Sequence, residues 1–262
     1  MKRVGEKMRY LVAAVTDIGS QKTINQDCYL VKTAHTNLGN VCMALICDGM
    51  GGLKEGEKAS GKVVEVFNAW FENTFRIINE ASIDRDSLDT QIQELIKKAN
   101  CLLMEYGIKK DIRLGTTASI IVFIEGSYTT YHIGDTRIYK YDNSLIQLTL
   151  DHSLVASKVR NGEMTKAQAK ASSEKNILIQ CLGVNDFIDT NITRGSSNKD
   201  DVFLLCCDGF YNKLEEAEIS AALAKFKTSD KAQIETEIRA LVKKVQNRGE
   251  TDNISALIIR LE

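Results

Sequence analysis

Proline is absent from this 262-residue sequence. That removes the turns that rely on a fixed φ and one class of slow folding step, but it carries no chemistry. Histidine is scarce: His35, His132 and His152 are the whole supply, so a histidine-rich zinc or iron site is poorly provided for. The seven cysteines form no Cys-x-x-Cys pair, and an odd number does not suit a disulfide framework. Cys42, Cys47, Cys206 and Cys207 lie inside apolar runs and are expected as reduced core thiols, with zinc binding the lesser alternative. Neither sign of charge is in excess. The 34 basic and 35 acidic residues give a net charge of −1, so no bulk field favours nucleic acid or a membrane surface as a partner. No run approaches the roughly 20 apolar residues of a membrane span. The basic start is followed only by a short apolar run over 10–15, so no signal peptide is expected and a cytoplasmic location is the default. A Walker loop ending in Gly-Lys-Ser/Thr and a Rossmann glycine fingerprint after the first strand are also missing, which leaves nucleotide recognition without support.

What is present is an ordinary globular composition, 44% hydrophobic and 26% charged, with no repeat or linker. One domain over 1–262 is expected. Patterning predicts strands over 10–16, 27–33, 41–47, 116–125, 128–133, 137–141, 145–148, 187–193, 202–207 and 253–261. The strand over 41–47 is apolar enough to be buried on both faces. Helices are predicted over 55–75, 215–226 and 231–247. Another carries a wide stripe made by Leu88, Ile92, Leu95, Ile96, Ala99, Leu102, Leu103 and Tyr106, and should pack on a sheet. The middle of the chain reads as a meander of antiparallel strands. Residues 151–186 read as short helices or a mobile insertion. This distribution predicts an α+β fold in which two antiparallel β-sheets form a central sandwich flanked by helix pairs.

Five aspartates stand at strand ends or beside glycine: Asp27, Asp48, Asp135, Asp208 and Asp252. Each taken singly reads best as a turn, because Asp-Gly is the commonest turn dipeptide. As a set they are the oxygen donors that hard ions such as Mg²⁺ and Mn²⁺ prefer. A site of two such ions uses bridging carboxylates.

Order and spacing go further. The blocks are Thr16-Asp17-Ile18-Gly19-x-x-Lys22-x-x-Asn25-Gln26-Asp27, Asp48-Gly49-Met50-Gly51-Gly52, Gly115-Thr116-Thr117-Ala118, Gly134-Asp135-Thr136-Arg137, Asp151-His152-Ser153, Cys207-Asp208-Gly209-Phe210 and Asp252-Asn253-Ile254. In this order the chain resembles, nearly end to end, the bacterial metal-dependent Ser/Thr protein phosphatases of the type 2C family. The resemblance implies the α-β-β-α sandwich and a centre of two Mn²⁺ or Mg²⁺ ions. Asp48 would bridge them, the Gly49 carbonyl would bind one, and Asp208 and Asp252 would bind the other. Asp27 would act through water, Gln26 and Asn253 would support the ligands from behind, and Asp135 with Asp208 would form a third, weaker site. Water activated by the ions would attack phosphoserine or phosphothreonine, with Asp27, Asp48, Asp208 and Asp252 as the catalytic set and no nucleophilic cysteine or serine. The implied partners are phosphorylated proteins, among them a Ser/Thr kinase and its substrates, met by a cytoplasmic monomer.

The chain departs from the family pattern at Lys22, Gln26 and Thr136, whereas Met50 is usual for bacterial members. Lys22 stands where arginine usually grips the substrate phosphate, offering a point charge without the bidentate fork. Gln26 replaces a glutamate, Thr136 replaces a serine, and Met50 leaves no histidine to protonate the leaving group. These changes keep open a weakly active or inactive module that binds phosphoproteins, and a hydrolase of small phosphoesters is the third reading. The insertion over 151–186 matches the family's flap. Its Lys158, Arg160, Lys166, Lys170 and Lys175 could face an acidic phosphoprotein or simply form a solvated helical face.

Overall fold

A computed structural model describes residues 8–36, 39–50, 55–75, 85–124 and 126–262. The predicted Gly51-Gly52 loop and Glu125 lie outside the described residues.

Strand β1 (Tyr10–Asp17) is followed by β2 (Asp27–Thr36) and β3 (Gly39–Asp48). Helix α1 (Gly56–Trp70) closes with a π-helical turn over Phe71–Phe75, and α2 spans Arg85–Lys110. Strands β4 (Ala118–Ile124), β5 (Ser127–Ile133), β6 (Arg137–Tyr141) and β7 (Leu145–Gln147) come next. Two short helices, α3 (Leu154–Arg160) and α4 (Lys166–Ala171), occupy the insertion. Then follow β8 (Asn191–Ser196), β9 (Val202–Cys206), the one-turn helix α5 (Asp208–Tyr211), α6 (Glu216–Phe226), α7 (Lys231–Asn247) and β10 (Ile254–Leu261).

The strands form two five-stranded sheets, ordered β1-β10-β9-β6-β7 and β2-β3-β4-β5-β8, and every pairing is antiparallel. The period-2 alternation of the central strands explains the layering. In β3, Cys42, Ala44 and Ile46 turn toward the other sheet, while Val41, Met43, Leu45 and Cys47 turn toward α1 and α2. In β9 and β10, Phe203, Leu205, Leu257 and Ile259 meet them across the sandwich, and Leu204, Cys206, Ala256 and Ile258 turn toward α6 and α7. Phe203 anchors the inter-sheet layer edge-on to Phe123 at 4.8 Å and Tyr128 at 5.3 Å between ring centroids. The α2 stripe packs on its sheet as its spacing predicts: Leu88, Ile92, Leu95, Ile96, Ala99 and Leu103 are buried, with Leu102 and Tyr106 packed beside them. The four named cysteines are core thiols.

Three details differ from the sequence reading. The meander is split: β4 and β5 pair in one sheet, β6 and β7 in the other, and the chain crosses between sheets at Gly134-Asp135-Thr136. A hairpin and a crossover both begin with a left-handed glycine, here Gly134 at φ 105°, so the dipeptide does not separate them. The strand expected over 187–193 forms over Asn191–Ser196, because β8 is an edge strand aligned by its pairing to β5, and Phe187 is 78% exposed. The backbone after β9 turns at once into α5, so Asp208 opens a helical turn instead of trailing a strand. Among the described residues no helix is long and apolar enough to cross a membrane.

Candidate metal centre

Antiparallel pairing brings the acidic residues to one end of the sandwich. β2 starts where β3 stops, with Asp27 directly opposite Asp48. In the other sheet β9 stops where β10 starts, with Cys206 opposite Ala256, so Asp208 and Asp252 emerge at the matching end. β6 begins there too, Arg137 opposite Cys206, which delivers the preceding Asp135. Directly opposed residues share a face, and like charges there oppose pairing. Asp27 is buried and neither carboxylate oxygen has a hydrogen-bond partner among the described residues. Ligand-capable atoms of Asp27, Asp48 and Cys207 lie within 4.8 Å of one another.

Glycines let the backbones close in. A Cβ on Gly49 would fall 2.3 Å from the Gly56 carbonyl oxygen and one on Gly209 2.1 Å from that of Asn253, so both positions exclude any side chain. The Asp48 carbonyl accepts from Thr117 N at 2.9 Å and Thr116 Oγ1 at 2.8 Å, and Asp48 N donates to Thr117 Oγ1 at 2.9 Å. Three bonds therefore hold the Asp48 backbone. The threonines stand in the quoted Gly115-Thr116-Thr117 block, whose role the sequence reading left unassigned.

Asn253 ties the opposite side together. Its Nδ2 donates to the carbonyls of Ile18 at 2.8 Å and Ile24 at 3.2 Å, and its Oδ1 accepts from Gln26 N at 2.9 Å. Gln26 contributes mainly backbone: its carbonyl accepts from Gly49 N at 3.1 Å and Ser60 Oγ at 2.6 Å. Glu250, which sequence reasoning passed over, is buried, and its Oε1 accepts from Thr251 N at 2.8 Å and Asp252 N at 3.1 Å, shaping the loop that presents Asp252. Tyr211 donates from its hydroxyl to the Asp135 carbonyl at 3.0 Å, and its ring carries the Arg137 guanidinium at 3.7 Å. Arg137 in turn grips Asp151 with Nη2 to Oδ2 at 2.7 Å. Lys22 Nζ rests on Asp252 Oδ1 at 2.7 Å.

Crowding shows in the proton affinities. Burial pushes Asp27 up to about 7 against the nearby Ser255 and Cys207, which work downward though neither lies in hydrogen-bond geometry with it, and the charges of Asp208 and Asp252 add to the rise. Burial with Asp252 and Glu250 nearby pushes Asp208 up to about 6. Asp48 and Asp135 are raised well above the usual carboxylate range, chiefly by burial and then by their acidic neighbours. For Lys22, burial works downward but is outweighed by Asp252, Asp48 and Asp208, so its charge is reinforced. Cys207 is raised well up by burial, and its thiol already donates to the Asn253 carbonyl and accepts from Ser255 N, so it behaves as a packed thiol. With the Cys207 thiol engaged in packing, the remaining donors are carboxylate oxygens, those of Asp27 buried and unpartnered, and such a set suits a hard divalent cation.

The family model for protein phosphatase 2C matches residues 19–250. The serine/threonine phosphatase stp of Listeria monocytogenes serotype 4b is 31% identical over 228 residues, covering 85% of this chain and 86% of its own length. The chain belongs to the protein phosphatase 2C family. Among solved structures, the Streptococcus agalactiae serine/threonine phosphatase superposes with a TM-score of 0.82 at 26% identity, over 97% of this chain and 100% of that one. The catalytic domain of PstP in complex with 2 manganese ions shares the fold, with a TM-score of 0.76 at 23% identity over 97% of this chain and 99% of that one.

Proposed function

We propose that this chain is a protein serine/threonine phosphatase whose acidic end holds two Mn²⁺ or Mg²⁺ ions, and that residues 1–262 form one catalytic domain with a flap-like insertion at 151–186. The carrying observation is the Asp27–Asp48 pair: two carboxylates directly opposed in a sheet, one with both oxygens buried and unpartnered. Such a pair is unfavourable unless a cation or a proton joins it. Family membership and the manganese in PstP favour the cation.

Asp48, the Gly49 carbonyl, Asp208 and Asp252 would hold the two ions, and Asp135 with Asp208 a weaker third. When bound, the ions supply a water acidic enough to attack phosphorus near neutral pH and offset charge on the phosphoryl oxygens. The chain's own residues do the rest. Asp27 keeps both carboxylate oxygens free to accept hydrogen bonds from water. Thr116 and Thr117 fix the Asp48 peptide, and Asn253 holds the 18–26 segment against the loop that carries Asp252. Lys22 keeps a reinforced ammonium at Asp252, from which it would meet the substrate phosphate as a point charge. The proposed setting is a cytoplasmic monomer opposing a Ser/Thr kinase.

The test is Mn²⁺-dependent phosphate release from a phosphothreonine peptide. Asp208→Asn is expected to lower turnover about a thousandfold, since ion charge stabilisation is worth several kcal/mol at about 1.4 kcal/mol per tenfold. No release by pure, metal-loaded wild-type protein would sink the reading.

A further inference from the structure

Asn100 lies on the buried face of α2, 3% exposed, at a position where an alanine or leucine would suit the helix better. A buried amide is tolerated when its donors and acceptor are used. Here they reach out of the helix to the exit of the insertion. Asn100 Oδ1 accepts from Gly183 N at 2.7 Å and Asn100 Nδ2 donates to the Asn185 carbonyl at 2.9 Å, so the one amide brackets Val184. The turn is closed from within by Cys181 N donating to Asn185 Oδ1 at 3.0 Å. It also depends on Gly183, which has φ 88°, and a Cβ there would fall 2.6 Å from the Leu114 carbonyl oxygen.

The clamped turn is continuous with the acidic centre. Leu182 exchanges both backbone hydrogen bonds with Thr116, at 2.9 and 3.1 Å. On its other side the same segment holds Asp48 through Thr116 and Thr117, and Met50 N donates to the Gly115 carbonyl at 3.0 Å. Gly115 lies between the two. Where its Cβ would be, Met50 Cε stands 2.1 Å away and Val184 Cγ2 3.1 Å away. The thioether methyl thus fills the missing side chain's place, and Val184, which is 41% exposed, flanks the same position. The result is an apolar wall two residues along the chain from Asp48.

We propose that Asn100 is a positioning residue for protein substrates: it fixes Val184 beside Met50, and the wall so formed takes an apolar side chain next to the phosphorylated residue. The inference rests on the phosphatase reading above. A polypeptide entering the centre must lay its flanking residues along the rim. Burying an apolar flank on a half-exposed valine and a methionine is favourable in proportion to the area removed from water. Asn100 touches neither centre nor substrate and acts through the turn that carries Val184.

The experiment compares two phosphothreonine peptides, one with leucine on each side of the phosphorylated residue and one with glycine, hydrolysed by the manganese-loaded full chain. Wild-type protein is expected to favour the leucine peptide in kcat/KM by about fivefold, the scale of a partly buried apolar contact. Val184→Ser should bring that ratio close to one. Asn100→Leu should do the same, with the double variant no lower than either single, because the two act through one contact. If Asn100→Leu does not fold, Asn100→Asp keeps the acceptor for Gly183 N, loses the donor to Asn185, and should give an intermediate ratio. A wild-type ratio near one overturns the wall, and so does a Val184→Ser ratio equal to wild type. Asn100 variants that lower both peptides equally overturn the positioning role, since a merely structural effect leaves the ratio untouched. Wild-type protein inert toward both peptides would instead overturn the phosphatase reading, and the wall with it.

Discussion

β3 and β9 each build two opposite environments within a few residues. Along their length they supply Cys42, Ala44, Ile46, Phe203 and Leu205 to a layer between the sheets made of apolar side chains. At their ends they release Asp48 and Asp208 into a cluster of carboxylates that repel one another, as the raised proton affinities record. The first environment is favourable by itself; the second is complete only with protons or cations. The difference teaches that packing of the layer holds the acidic end in a geometry it would not adopt alone, and that stability and chemistry can be perturbed separately.

The hardest blow to this separation is Phe203→Ala. Removing a ring packed between Phe123 and Tyr128 should cost about 3–5 kcal/mol in a denaturant titration. Affinity for Mn²⁺ in the fraction that remains folded should change little; if affinity collapses at temperatures where the fold persists, the layer and the centre are not separable.

A smaller effect concerns pH. A carboxyl raised in the folded state binds protons that the unfolded chain has released, so metal-free stability falls as pH climbs from the ordinary carboxylate range toward about 7 for Asp27 and about 6 for Asp208. Metal binding needs those groups deprotonated. The difference in Tm between manganese-loaded and metal-free protein should therefore widen by several degrees from pH 5 to pH 8. His132, lowered to about 3 by burial, and His152, also lowered by burial, act in the opposite sense at low pH but equally in both forms, so the difference removes them. A gap that is flat or narrows with pH would show that the acidic end does not take up the metal.

The smallest expected change is at Lys22. Lys22→Arg would bring a fork able to span Asp252 and a phosphate, and should lower KM for a small phosphoester by about threefold. An unchanged or raised KM would mean that Lys22 serves only as the partner of Asp252.

Much of this was legible from short-range pattern. The α2 stripe, the apolar run of β3 and the α7 face with Ile234, Ile238, Val242 and Val245 follow directly from periods of 3.6 and 2. The strand-end aspartates were legible because turn residues next to apolar runs mark where a chain leaves a sheet. The β5–β6 crossover was not: Gly134 needs its conformation because a Cβ would fall 2.5 Å from Thr117 Cγ2, a neighbour 17 residues away. Nor was β8 legible, since an edge strand of half-exposed side chains has little alternation to read, and its position comes from pairing Thr193 with Thr130.

By itself, then, the order of residues determined where most strands and helices form, which faces are apolar, and that five aspartates stand at element ends. Each of these is a property of neighbours along the chain. Tertiary structure decided that Asp27 faces Asp48, that Lys22 lands on Asp252, and that Asn100 reaches across to bracket Val184. These contacts join residues from 21 to 230 positions apart. The first comes from pairing within one sheet, and the others from loops and a helix that the fold brings against the sheet ends.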